Sequence, residues 1–252
     1  MGFFRGLVAP FRGAAYVLRN GYTRYLVLPL IIDVILATAT MFAAYHYSRA
    51  ELGEWLTHWP WLGGILLVVT TGLAGVVLFL IAQPLLLAVF ADTLSERVER
   101  DVLGTAATVP FVSSVGKSIV HGLLKVVFYA LALAISAVVF AVTGGPGVLV
   151  GLALGGLSMA YDGFDYPLAR RNASFGAKWA YLARNPGLTI GYGVGTWIFY
   201  LIPFVVFVAP PVVAAGATLA FIDTERKRGR LPAAPVGAKS GDGKSVNVAA
   251  NT

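Results

Sequence analysis

The sequence has no cysteine. Disulfides, thiolate nucleophiles and thiolate metal sites are therefore excluded. Histidine is scarce: His46, His58 and His121 are scattered, and no two stand at a metal-ligand spacing. Charge is also scarce, at 12% of 252 residues, where a soluble domain carries about 25%. No nucleophile–base pair or metal constellation is visible, so no catalytic residue, metal or cofactor is assigned and the chain is read as a non-enzyme. The net charge of +7 would suit nucleic acid, but the basic residues flank apolar runs, which fits membrane orientation and no nucleic-acid partner.

What is abundant is apolar: 58% of the residues are hydrophobic, many in long runs. Runs of about 18 or more apolar residues mark membrane spans. The chain is thus read as an all-α integral membrane protein. Residues 25–45 form one long span, with Asp33 inside it. They are too long for the core of a cleavable signal, and no small-residue cleavage site follows. Residues 61–90 form a second long span without charge, which must tilt, kink near Gln83-Pro84 or project beyond the bilayer. Residues 93–103, TLSERVERDVL, read as a short surface helix with Thr93 and Glu96 as a capping box.

The later apolar tracts are broken. TGGPG at 143–147 divides 126–161, and the prolines at 203, 210 and 211 divide 187–222. Limbs this short predict two hemi-penetrating helical hairpins that pack on the long spans or on other copies, because irregular backbone at membrane depth must be covered. Glycines at 187, 191 and 195 and at 151 and 155 suit close helix packing, or a pore lined by exposed backbone. Residues 1–19 fit an amphipathic helix, either interfacial or packed on its own protein, which Pro10 should kink or divide. Residues 1–222 make one membrane domain, and 223–252 a disordered cytoplasmic tail. Within that tail GDGKS lacks the first glycine and the preceding strand of a phosphate-binding loop.

Of 19 Lys and Arg, only Arg49 lies in the 46–60 loop. The positive-inside rule then makes both termini cytoplasmic. The island YDGFDYPLARRNASF at 161–175 becomes a cytoplasmic connector, with Arg170 and Arg171 as candidate partners of Asp162 and Asp165. Six full spans give the same charge distribution; limb length favours two spans and two hairpins.

The segment LRNGYTRYLVLPLIID at 18–33 holds the candidate site. Asn20-Gly21 breaks the first helix, and a second starts toward Pro29. Its first amides lack intrahelical partners and carry the positive end of the helix dipole. Gly21, Tyr22, Thr23 and Arg24, with Arg19, bring amides, hydroxyls and guanidinium together, which suits an oxyanion. The alternative is an ordinary helix start with snorkelling arginines.

Three stretches taken together resemble the EI24/CysZ family of bacterial sulfate permeases: FFRGLVAPFRGAAYVLRNGYTRYLVLPLIID, DGFDYPLARRNASF and GYGVGTWIFYLIPFVVFVAPPVVAAGAT. The resemblance implies a multi-pass protein of the bacterial inner membrane, assembled as a homo-oligomer. It also implies sulfate uptake feeding cysteine biosynthesis without an ATPase domain. The family's sulfate contact is a Gly-Leu-Arg-Arg segment, which reads Gly21-Tyr22-Thr23-Arg24 here and keeps one arginine of the pair. Two functions follow as expectations. One is transport of sulfate or a related oxyanion; the other is a scaffold that shapes the bilayer and carries no substrate.

Overall fold

The computed structural model describes residues 2–107, 111–203 and 205–232, and among them every regular element is helical. The helices are α1 (Gly2–Arg19), α2 (Arg24–Glu51), α3 (Gly53–His58), α4 (Pro60–Leu103), α5 (Phe111–Thr143), α6 (Gly145–Ala169), α7 (Phe175–Ala183), α8 (Pro186–Tyr200) and α9 (Ala209–Lys227). Among the described residues three stretches are long and apolar enough to cross a membrane: Arg24–Glu51, Pro60–Leu78 and Gly145–Ala169. Their large apolar side chains point outward, among them Ile35, Leu73 and Leu149, each more than 60% exposed. A soluble protein would bury such residues. This is an all-α membrane protein.

The chain divides into two compact units, Arg24–Phe90 and the remainder. In the first, α2 and the first half of α4 meet where Gly75 leaves room for the Met41 side chain; a methyl at Gly75 would lie 3.2 Å from its sulfur. Asp33 is buried, at 3% exposure.

The second unit is built around α1. The small residues Gly6, Ala9 and Gly13 face inward together with Tyr16 and Val17, while Phe4, Val8 and Leu18 face outward. The small stripe lets α8 and α9 approach at backbone distance. A methyl at Gly195 would sit 2.2 Å from the Leu7 carbonyl oxygen, and one at Gly216 2.3 Å from that of Ala9. The glycines of α8 therefore pack helices against α1. Pro10 is accommodated within a continuous α1, buried on this same face.

The remaining helices complete a core of Tyr16, Tyr161, Phe164, Tyr192 and Ile222. Tyr192 donates from its hydroxyl to the Val213 carbonyl at 2.7 Å, tying α8 to α9. TGGPG turns the chain between α5 and α6: Gly144 adopts φ 65°, and Gly147 lies against Phe140. Pro210 and Pro211 fall in the first turn of α9, where missing amides cost nothing.

The structure alters several boundaries. The surface helix expected over 93–103 is the last part of α4, which is continuous from Pro60 and also through residues 83–84. No helix breaker stands between Phe90 and Thr93, so the capping box has no helix start to cap. At ~1.5 Å per residue, a helix of 44 residues exceeds the ~30 Å hydrocarbon core twofold and projects beyond it. α6 runs past 161 to Ala169, because its aspartates find cationic partners described below. α9 runs to Lys227, five residues into the segment expected to be a tail; residues 233–252, including GDGKS, lie outside the described residues.

Candidate functional site

The segment 19–24 begins with a helix stop. The Tyr22 amide donates to the Val17 carbonyl at 3.0 Å, with Gly21 between them at φ 71°. This is a Schellman closure, and the left-handed residue it needs is the glycine. α2 then starts at Arg24. Gly21, Thr23, Arg19 and Arg24 are exposed. The Arg24 guanidinium lies 5.1 Å from the centre of the Tyr25 ring, a cation–π contact. The boundary between the two units falls between Thr23 and Arg24.

Tyr22 differs from its neighbours. It is buried, and its hydroxyl donates to Asp101 near the end of α4. Tyr16 donates to the same carboxylate oxygen at 3.3 Å. Burial, and then the hydrogen bond to Asp101, push the Tyr22 phenol up to about 12. Tyr16 is raised further, first by burial and then by the Asp101 charge. Both phenols therefore stay neutral donors, already committed to a carboxylate. Of the residues singled out in the sequence, Tyr22 braces the turn while the others face solvent.

Two charged clusters lie elsewhere in the same unit. Glu99 is 1% exposed and holds both arginines of the island: Arg171 Nη2 at 2.6 Å and Arg170 Nε at 3.1 Å. Arg170 also reaches Asp92 at 2.8 Å and Ser95 at 2.5 Å, and Ser95 is within 2.5 Å of the Thr218 hydroxyl. Two cations and two anions thus balance, and at Glu99 and Arg170, whose side chains are largely buried, pairing is required, while Asp92 is exposed. The sequence carried a signal for this cluster. Ser95 and Glu99 fall on the same helical face as Ala91, Leu94, Val98 and Val102, all buried. A carboxylate on a buried stripe needs a partner.

Asp162 and Asp165 pair with lysines and not with Arg170 and Arg171. Lys125 bonds Asp162 and lies 3.7 Å from Asp165; the buried Lys178 bonds Asp165. Tyr129 donates to Asp162 at 2.5 Å. Burial pulls the Lys125 ammonium down, but the two aspartates outweigh it and hold it above its usual value. Among the described residues no group of His, Asp and Glu has the makings of a metal site.

The described residues thus form an all-α membrane protein with a helix-stop segment rich in donors. The chain belongs to the family described as Sulfate transporter CysZ/Etoposide-induced protein 2.4, whose pattern it matches over residues 9–211. It is 25% identical over 236 residues to the "Sulfate transporter CysZ" of Pseudomonas aeruginosa, covering 86% of this chain and 94% of that one. The protein of that name from Vibrio cholerae is 26% identical over 229 residues, 83% and 90% of the two chains. That of Pectobacterium atrosepticum is 25% identical over 234 residues, 86% and 84%.

Proposed function

We propose that this protein moves sulfate or a related oxyanion across the bacterial inner membrane, as a permease without an ATPase. The observation that carries the reading is likeness along most of the chain to proteins named sulfate transporters. The exposed donors of the helix-stop segment support it. Arg19, Gly21 and Thr23 are exposed just before the α2 start and Arg24 at it, a run of sequence whose amides and guanidinium groups suit an anion. Tyr22 contributes by fixing the turn through Asp101. The distribution of Lys and Arg, with Arg49 alone among residues 46–60, supports cytoplasmic termini. The outward apolar faces suit lipid and further copies of the chain in a homo-oligomer.

The test is uptake of labelled sulfate by liposomes holding the purified protein. Uptake above empty liposomes, reduced in Arg24→Ala with the fold intact, is the expected result. Absence of uptake by well-folded protein refutes the reading.

One observation favours a second reading. Phe4 is 71% exposed and Leu18 60%, on a helix with Arg5, Arg12 and Arg19. Such a face can seat in a leaflet and shape the bilayer. Liposome remodelling that depends on residues 1–19, in the absence of sulfate flux, would select the scaffold.

A further inference from the structure

The ends of α7 and α9 meet through Asn185. Its side-chain amide donates to the Tyr181 carbonyl at 2.8 Å, and its oxygen accepts from Arg228 Nη2 at 2.7 Å. α9 then closes as α1 does. The Arg230 amide donates to the Glu225 carbonyl at 3.0 Å across Gly229, which has φ 68°. That closure folds the chain back so that one buried carboxylate faces two guanidiniums. Glu225, 6% exposed, lies 3.2 Å from Arg228 Nη1 and 3.4 Å from Arg230 Nη1.

Beside them is a hydroxyl without a role. The Tyr181 ring packs on Phe221 at 5.5 Å, and Arg171 covers the same Phe221 ring at 4.5 Å. The Tyr181 hydroxyl oxygen is buried and hydrogen-bonds to none of the described residues. Burial raises the phenol and the Glu225 charge raises it further, against Arg228, Arg171 and Arg230, so it keeps its proton. A neutral donor therefore belongs to the residue whose carbonyl is bonded to Asn185, the side chain that holds Arg228. Each guanidinium has five N–H donors, of which Arg228 commits two groups and Arg230 one weakly. Arg184 and Lys227, both exposed, add positive charge at the same helix ends. Favourable interaction with the α9 dipole accounts for basic residues in its last turn. It does not account for a buried carboxylate that aims two of them, nor for the orphaned hydroxyl.

We propose that the adjoining ends of α7 and α9 form an oxyanion-binding site in which Arg228, Arg230 and the Tyr181 hydroxyl take a phosphate- or sulfate-type group. Such a group offers several acceptor oxygens, matching guanidinium forks and one phenol donor. Glu225 and Asn185 hold the arginines in place, and Glu225 stands as the internal anion that the ligand displaces in part. The group has two sources, a free ion or the phosphate of an anionic phospholipid headgroup. The site is separate from the α2 helix start and does not rest on transport.

The experiment is thermal unfolding of the full chain in neutral detergent, titrated in one arm with sodium sulfate at constant ionic strength and in the other with phosphatidylglycerol, with phosphatidylcholine as control. Wild type, Arg24→Ala, Tyr181→Phe, Arg230→Gln and Glu225→Gln are compared. Stabilisation that survives in Arg24→Ala but needs roughly tenfold more ligand in Tyr181→Phe and Arg230→Gln is expected, the equivalent of one lost charge-assisted hydrogen bond. Glu225→Gln should bind more tightly, because the competing carboxylate is gone. A response to sulfate identifies the free ion; a response to phosphatidylglycerol alone identifies the lipid. Tyr181→Phe keeps the ring on Phe221, so it reads the hydroxyl even where another variant unfolds. Equal responses in wild type, Tyr181→Phe and Arg230→Gln overturn the site, whatever happens to flux.

Discussion

Arg171 donates from Nη2 to Glu99 Oε1 at 2.6 Å, although 72 residues separate them in sequence. The same carboxylate holds Arg170, so a single buried acid fastens the 170–171 turn to the last part of α4. Glu99→Ala would take from Arg171 its only carboxylate partner among the described residues and leave the largely buried Arg170 side chain with Asp92 and Ser95. A loss of about 3–5 kcal/mol is expected, the usual cost of removing one partner of a buried ion pair. The midpoint of thermal unfolding in detergent measures it. An unchanged midpoint would mean that the arginines find equivalent partners.

α1 owes its position to the absence of side chains opposite it. Gly195→Ile would drive a branched side chain into the Leu7 carbonyl, 2.2 Å from where the first carbon must lie. The helix cannot yield there without leaving α8. The expected result is faster limited proteolysis within residues 2–19, while helix content measured by circular dichroism falls little. A wild-type cleavage rate would show that α1 tolerates displacement without detaching.

Much of this fold is legible in the sequence, and the reasons can be traced to particular residues. A long apolar run with a single charge, Asp33, identified the span at 25–45, and Asn20-Gly21 marked a helix stop that is a Schellman closure around Gly21. The every-fourth-residue glycines of α8 announced a close contact but not its partner, which is α1. Pairing of charges was the least legible feature. Asp162 and Asp165 lie nearest to Arg170 and Arg171 in sequence, yet they pair with Lys125 and Lys178, because α6 turns its aspartates toward α5 and α7. Thr93 and Glu96 matched a capping pattern that had no helix end to act on, since nothing local interrupts α4. Local chemistry reads well from sequence; the choice among distant partners depends on which helix faces meet.

The Tyr22 phenol predicts a response at high pH. Its pKa is raised from 10.0 to about 12 in the folded protein. The protonated, hydrogen-bonded form therefore favours folding below about pH 10, and that contribution is lost as pH rises toward about 12. Absorbance of tyrosinate near 295 nm should show one fewer late-titrating phenol in Tyr22→Phe than in wild type. In the same variant the loss of stability between these pH values should be shallower. A Tyr22 that titrates near 10.0 would show that its contact with Asp101 is not maintained.

The depth of the Gly144 turn follows from the ionised residues at the other end of α6. From Gly145 to Tyr161 the helix has no charge, and Asp162 and Asp165 are then held by Lys125 and Lys178. Those seventeen apolar residues extend about 25 Å, at ~1.5 Å each, against a hydrocarbon core of ~30 Å. If the ion pairs stand at one face of the bilayer, the turn is expected to stop short of the other. Since the chain has no cysteine, a single substitution reports cleanly. Gly145→Cys should resist a membrane-impermeant maleimide added to either side of intact vesicles, and react after detergent is added. Arg49→Cys, in the last turn of α2, should label from outside without detergent. Labelling of Gly145→Cys from outside would instead make α5 and α6 full spans, and the ion pairs would then lie below the opposite surface.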